Sequence, residues 1–264
     1  MKIALAAANM SKRIETPTGL ITRIRRLAMD ATGCDILILP EYFQMLCLDY
    51  APPLKPTEEI AWLANEAEQM DLANEIAGIC ESFGIAILPG TWPVKTDGGY
   101  RNRAFFITEE GIVHTQDKIA LTREEMDRLG WYLKGGDKLN VFEFQGVKCG
   151  ISICHDTTDK DEFEKFKAEE VKLVFMPSMC ESEGSPKDVD SHAFIFDHAR
   201  KRSREVGCFF ACVGSVGVQI LPHRAEKNVG GAALYKDGVA LAEIGPFEKG
   251  RGTTSMMLKV DVDL

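Results

Sequence analysis

The sequence predicts an α/β protein: a four-layer α-β-β-α sandwich in which two mixed β-sheets pack together with helices on their outer faces. Three observations carry this. Short apolar runs alternate with segments whose apolar residues recur at helical spacing, the pattern of strand–helix units. The middle third instead pairs neighbouring apolar runs across tight turns, which makes hairpins and mixes antiparallel with parallel pairing. The chain is 264 residues long and 45% apolar, enough to bury a full core without staples, and no linker, repeat or low-complexity segment divides it. One domain over residues 1–264 is expected.

The elements follow in order. Ile3–Ala8 reads as a first strand. Leu20, Ile24, Leu27, Ala28 and Ala31 mark a helix ended by Gly33, and Asp35–Leu39 is a second buried strand closing at Pro40. A single long helix is expected from an N-cap at Thr57 to Phe83, with the stripe Leu63, Ala67, Met70, Ala73, Ala77 and Cys80. Ile85–Leu88 is a strand. Ala104–Thr108 and Ile112–Gln116 form one hairpin; Val141–Phe144 and Val147–Cys154 form another across Gln145-Gly146. Then come a helix near Asp161–Glu170, a strand at Leu173–Met176, and a helix from Val189 to Val206 capped by Gly207. Cys208–Gly214, Gly230–Glu243 and Ser255–Val262 read as further strands.

Charge narrows the function classes. Lys plus Arg number 31 against 40 Asp plus Glu, a formal net charge of −9. That balance argues against nucleic acid as a partner, because phosphate binding draws on clustered cations. Two basic clusters, Arg23/Arg25/Arg26 and Arg200/Lys201/Arg202/Arg204, read as solvated helix faces. No run approaches the roughly 18 apolar residues of a membrane span. The N-terminal apolar run is too short for a signal peptide, so a cytoplasmic protein is expected. The eight cysteines then read as reduced thiols. No CxxC spacing suggests a metal, and most should be buried small hydrophobes.

Three segments place a reactive side chain just beyond a buried strand, where α/β folds build sites. In ILILPEYF, Glu41 sits at a strand mouth beside Tyr42 and Phe43. A partly desolvated carboxylate there has the raised pKa of a general base. In HTQDKIALT, Lys118 follows a strand and can serve as a fixed cation for a developing oxyanion. In VKCGISICHD, Cys154 closes a strand and meets His155-Asp156; a thiol nucleophile needs such a base and cation, because few free thiols ionise at neutral pH. Each alone also has an ordinary reading, as a loop carboxylate, a surface lysine or a buried cysteine.

Together, in this chain order, the three segments resemble the motifs of the carbon–nitrogen hydrolase (nitrilase) superfamily: LPEYF its Glu motif, DKIAL its Lys motif and GISICHD its Cys motif. RNRAFFI, GGDKLNVFEFQGVKCG, LVFMPSM and HARKRSREVGCFF resemble the flanking segments, so the likeness covers nearly the whole chain. The resemblance implies the nitrilase-like sandwich, with Glu41 as base, Lys118 as oxyanion stabiliser and Cys154 as nucleophile. It also implies a second oxyanion donor in the backbone N–H of His155. A second glutamate positions lysine and substrate in this family; Glu124 and Glu125 both fit, with Glu125 preferred. The implied reaction is hydrolysis of a small amide through a thioester, with no cofactor or metal and a homodimer or higher oligomer as the assembly. N-carbamoyl compounds and nitriles are the alternative substrates; an end directly after the last strand favours an amidase over the longer nitrile-cleaving members. Two departures, His155 where many members carry Tyr and TTDKDEF in place of the usual acidic and proline pattern, leave the substrate open.

Residues expected to face the substrate are Tyr42, Phe43, Trp131, Tyr132, His155, Thr157 and Met179, with Cys180 at the border. Two other classes compete. One is a Cys-His hydrolase pairing Cys154 with His155 or His192, disfavoured because neighbours on a strand face opposite ways and because His192 reads as a helix-face residue. The other is a catalytically silent binding protein, disfavoured by the intact Glu, Lys and Cys.

Overall fold

A computed structural model describes residues 1–128, 130–181, 189–245 and 255–264. Fifteen strands and five α-helices are assigned among them: β1 (Lys2–Ala7), α1 (Pro17–Asp30), β2 (Ile36–Ile38), α2 (Pro56–Gln69), α3 (Leu72–Phe83), β3 (Ala86–Leu88), β4 (Thr91–Thr96), β5 (Gly99–Thr108), β6 (Gly111–Asp117), β7 (Val141–Phe144), β8 (Val147–Ile151), α4 (Phe163–Ala168), β9 (Leu173–Ser178), α5 (Val189–Val206), β10 (Phe209–Gly214), β11 (Val216–Ile220), β12 (Ala225–Val229), β13 (Ala232–Lys236), β14 (Val239–Ile244) and β15 (Met256–Asp261).

The strands form two large mixed sheets and a separate β11–β12 hairpin. The first sheet runs β15-β1-β2-β3-β5-β4, with β6 on β5; the second runs β14-β13-β10-β9-β8-β7. β1, β2 and β3 are parallel, Ile3 beside Ile36 and Ile36 beside Ala86, while β15 returns antiparallel to β1. Period-two alternation divides the core. Ile3, Leu5, Ile36, Ile38 and Phe106 face the second sheet and meet Ile151, Phe175 and Phe210. Their neighbours Ala4, Ala6, Leu37, Leu39 and Ile107 turn outward onto Ile24, Leu63, Ile76 and Ile79 of α1–α3. α4 and α5 cover the other side of the second sheet. This is the expected four-layer sandwich.

Several elements differ from the sequence reading. The long helix is two: α2 ends at Gln69 and α3 starts at Leu72, around Asp71 at φ +48°. Asp tolerates the left-handed region better than most residues. The break resets the apolar stripe, so Ile60, Leu63, Ala64 and Ala67 are buried in α2 but Leu72, Ile76, Ile79 and Cys80 in α3. α2 starts at Pro56, not behind an N-cap at Thr57; proline's fixed φ suits a first helical turn, and the N–H of Lys55 donates to Glu58. β8 stops at Ile151, so Cys154 lies in a 3₁₀ turn, Cys154–Thr158, beyond the strand. The hairpin β11–β12, the strand β4 and the 3₁₀ segment Phe43–Asp49 were not expected.

The basic clusters are not wholly solvated. Arg23 is half-buried over the Phe43 ring and donates to the Lys12 carbonyl at 2.8 Å. Arg202 is buried, and its Nε donates to the Thr157 carbonyl at 3.1 Å. Arg25, Arg26, Arg200, Lys201 and Arg204 are exposed. All eight cysteines are free and buried. Among the described residues no helix is long and apolar enough to cross a membrane.

His192 lies in α5 as read, but faces inward, buried and stacked on Phe196 at 3.9 Å. His114 stacks on Phe142 at 4.2 Å. Burial pushes both imidazoles down to about 4. The unfolded chain binds these protons near pH 6.5 while the folded chain refuses them until about pH 4. The histidines' contribution to stability is full above pH 6.5 and is lost as the pH drops toward 4. The check is the difference in urea midpoint between the parent and His192→Phe at pH 7 and pH 5: the variant should gain on the parent at the lower pH.

Candidate active site

The strand ends build one cluster. β2 delivers Glu41 two residues past Leu39, whose N–H is held by the Leu88 carbonyl at 2.8 Å. Only glycine fits at position 90: its φ is +82°, and a Cβ there would stand 1.8 Å from the Pro40 carbonyl oxygen. That close approach fixes the turn carrying Glu41. β6 ends at Asp117 and delivers Lys118, whose N–H donates to the Asn102 carbonyl of β5 at 2.9 Å. β9 ends at Ser178 and presents the N–H of Met179. Cys154 opens its turn at φ +47°, a conformation costly for a non-glycine residue and characteristic of functional sites.

Glu41, Lys118, Glu125 and Cys154 are all buried, each no more than 4% exposed. Lys118 Nζ lies 2.8 Å from Glu41 Oε1 and 2.8 Å from Glu125 Oε2. Asn102 Nδ2 donates to Glu41 Oε1 at 2.8 Å and to Glu125 Oε1 at 3.1 Å. Glu41 Oε2 accepts the Met179 N–H at 3.0 Å. Glu125 also accepts the Tyr42 hydroxyl at 2.7 Å and the Thr122 N–H at 2.9 Å. The Cys154 sulfur is 3.9 Å from the carbonyl oxygen of Met179, the same residue whose N–H Glu41 accepts.

Asp156 braces the cysteine turn. Its Oδ2 accepts the Ile153 N–H at 2.9 Å, and its Oδ1 accepts those of Ile119 at 2.9 Å and Ala120 at 2.8 Å. One buried carboxyl thus ties the lysine segment to the cysteine segment. Burial pushes it up to about 7, against the pull of these N–H groups and of Lys118.

The two glutamates are driven apart. Burial raises the Glu41 carboxyl above its ordinary value, and Glu125 adds to this while Lys118 opposes it. Burial acts on Glu125 too, but Lys118, the Thr122 N–H and the Tyr42 hydroxyl outweigh it and hold that carboxyl below its ordinary value. Burial disfavours the Lys118 charge, yet Glu125 and Glu41 keep its ammonium well above the usual range. Burial and Glu41 push the Cys154 thiol well up. The resting cluster therefore holds a neutral thiol beside a carboxyl of raised proton affinity, with a fixed cation and a fixed anion behind it. Carboxylates separated in this way are the pattern of acid–base pairs.

The remaining expected residues take different places. Tyr42 and Met179 touch the cluster directly, and Trp131 packs edge-on against Tyr42 with centroids 5.5 Å apart. His155 is half-buried in the cysteine turn, its imidazole pushed down by burial and by Lys118. Thr157 is fully buried beneath the turn, donating to the Cys154 carbonyl at 2.9 Å. Phe43 is core, whereas Tyr132 is 63% exposed. Cys180 is buried, with its sulfur 3.9 Å from Ser178 Oγ. Of the two glutamates left open by spacing, Glu125 meets Lys118; both belong to a π-helical turn, Glu124–Arg128, whose consecutive side chains point in different directions. Asn102 and Asp156 were missed as site residues. Among the described residues, no three His, Cys, Asp or Glu side chains are grouped to hold a metal ion.

A sandwich of two mixed sheets with a buried Glu, Lys and Cys at converging strand ends defines a class, and the sequence model of the carbon-nitrogen hydrolase family matches residues 2–264. The chain belongs to that family. Among solved structures, the amidase NitN from Nesterenkonia sp. AN1 superposes with a TM-score of 0.73 at 19% identity, over 100% of this chain and 93% of that one. XC1258 from Xanthomonas campestris, a member of the same superfamily, gives 0.72 at 21% identity, over 99% and 90%. Among sequence relatives, a hydrolase encoded in the pqqF 5′ region of Pseudomonas protegens is 27% identical over 61% of this chain and 53% of its own length. Omega-amidase YafV of Escherichia coli K12 is 25% identical over 47% and 43%. The probable hydrolase YhcX of Bacillus subtilis is 24% identical over 59% and 29%. The chain spans less than two thirds of the length of each of these three sequence relatives.

Proposed function

We propose that this protein is an amidase that hydrolyses the C–N bond of a small amide through a Cys154 thioester. The observation that carries the reading is that Cys154 and Glu41 meet at Met179, whose carbonyl oxygen lies 3.9 Å from the sulfur and whose N–H donates to Glu41 at 3.0 Å, with Lys118 ion-paired to Glu41 and Glu125 at 2.8 Å each. Glu41 takes the thiol proton as sulfur attacks the carbonyl carbon, and the carbonyl π pair moves onto oxygen. An ammonium has three N–H donors; the carboxylates take two, leaving the third for the oxyanion. The N–H of His155 is the second donor, because the first N–H groups of a helical turn have no partner within it. Glu41 returns the proton to nitrogen, the C–N bond breaks, and ammonia or amine leaves. Water, deprotonated by Glu41, then cleaves the thioester and restores the thiol.

Relatives support this reading. One curated relative is an omega-amidase. A solved variant of the Nesterenkonia amidase carries acrylamide added to its active-site cysteine; in a second structure the same variant carries the acetamide moiety of fluoroacetamide there. The buried aromatic edge of Tyr42 and Trp131 and the adjoining Met179 and His155 suit a small, partly apolar substrate. Eight free buried cysteines suit a reducing cytoplasm. Assembly as a homodimer through α5, where Phe194 is 49% exposed, belongs to the same proposal.

The test is ammonia release from a panel of aliphatic amides, ω-amides, N-carbamoyl amino acids and nitriles. At least one amide should be turned over by the parent protein and by Cys154→Ala at no measurable rate. Cys154→Ala turnover near the parent rate would overturn the mechanism. Preference for a carbamoyl compound or a nitrile would move the substrate assignment and keep the mechanism.

A further inference from the structure

We infer that Asn102 is a positioning residue that sets the proton affinity of Glu41. The inference deepens the amidase reading and rests on it for its consequence in turnover. Asn102 is fully buried on β5, and its single Nδ2 donates both hydrogens, one to Glu41 Oε1 at 2.8 Å and one to Glu125 Oε1 at 3.1 Å. Both neighbours are acceptors, which identifies the group facing them as the NH₂ end of the amide. With Lys118 the bonds close a ring: Glu41, Lys118, Glu125, Asn102 and back to Glu41.

Two carboxylates this close repel, and one would take up a proton. Lys118 counters the repulsion on one side of the ring. Asn102 counters it on the other with an uncharged donor that cannot titrate. The bonds are unequally supplemented. Glu125 also has the Tyr42 hydroxyl and the Thr122 N–H, whereas Glu41 has the Met179 N–H. Loss of Asn102 should therefore tell most on Glu41, the carboxyl already raised by burial. The other end of the amide shows that packing alone does not explain the residue. Among the described residues Asn102 Oδ1 is buried with no hydrogen-bond partner, and an unmatched buried acceptor costs stability. The position keeps an amide for its donors at the expense of an idle oxygen.

A hydrogen bond to the charged form lowers a carboxyl pKa, so removing it raises the Glu41 value. The test is an infrared pH titration of protein carrying ¹³C-glutamate, with the Glu41 carboxyl band identified by its loss in Glu41→Gln. Asn102→Leu should move the band's midpoint up by about one pH unit. Asn102→Asp, which keeps the shape and adds a like charge, should move it at least as far, and it serves if the leucine variant fails to fold. On an amide that the parent turns over, the acid limb of kcat/KM should shift upward equally. Below that limb kcat should fall about tenfold with KM nearly unchanged. A Glu41 midpoint that moves in neither variant overturns the assignment of Asn102. A midpoint that moves in a protein whose Cys154→Ala variant still turns over amide overturns the amidase mechanism and leaves the Asn102–Glu41 coupling standing.

Discussion

Lys118→Met should be the most damaging single change in the molecule, in stability and in turnover together. Lys118 is 2% exposed and pairs with two carboxylates that are themselves buried. Methionine matches the stem but removes the charge, leaving Glu41 and Glu125 facing each other with Asn102 alone between them. Breaking a buried ion pair from one side costs about 3–5 kcal/mol. The deficit has a pH signature. Lys118 lowers both carboxyl values, so in its absence they rise above those of the unfolded chain. The cost is then greatest at neutral pH and shrinks as the pH falls and a carboxyl takes up a proton. Denaturant unfolding at pH 7 and pH 5 should show the variant recovering part of its loss, in a direction opposite to the histidine effect in the parent. Turnover should fall by about 10³-fold or more, since removing one oxyanion donor alone costs 10²–10³. A variant with parental stability at pH 7 would contradict the buried network.

Glu41→Gln separates chemistry from folding. Glutamine keeps an oxygen to accept from Lys118 and Asn102 and loses the acceptor for the Met179 N–H, so the fold should survive with a loss of about 1–3 kcal/mol. What disappears is the proton acceptor beside the thiol. The expected loss in kcat is about 10²–10⁴-fold, with KM little changed because the ring that shapes the site remains. Cys154 should not become inert. Glu41 is one of the causes that push its thiol up, and Lys118 pulls it down, so a bare thiol beside a lysine can still be alkylated. Loss of turnover with retained alkylation is the signature of a missing base. Parental kcat in Glu41→Gln would remove Glu41 from the mechanism.

Much of this was legible in the sequence because it rests on short-range pattern. Ile3, Leu5, Ile36 and Ile38 alternate with Ala4, Ala6, Leu37 and Leu39, and that period alone predicts strands covered on both faces. Glu41, Lys118 and Cys154 stand out because each follows such a run. What escaped depends on three-dimensional convergence. The apolar stripe of α2 continues numerically past Asp71, so nothing local announces the break that re-aims α3. Asn102 sits in the middle of a strand and acquires meaning only when β5 brings it to two carboxylates from distant parts of the chain. Asp156 is adjacent to the cysteine in sequence, but its part in tying Ile119 and Ala120 to the turn is a tertiary contact. Thr157 and Trp131 were expected to face the substrate on residue type. Thr157 lies under the turn, and Trp131 packs edge-on against Tyr42 with its Nε1 donating to Glu59 at 3.3 Å.

The central claim is that Cys154 carries the acyl group. The direct measurement is rapid acid quench of the enzyme during turnover of an amide, followed by peptide mass mapping. The account predicts a single adduct on the Cys154 peptide, heavier by the mass of the amide less ammonia, that decays as product forms and is absent in Glu41→Gln. Turnover with no adduct at Cys154, or with an adduct on another of the eight cysteines, would contradict it.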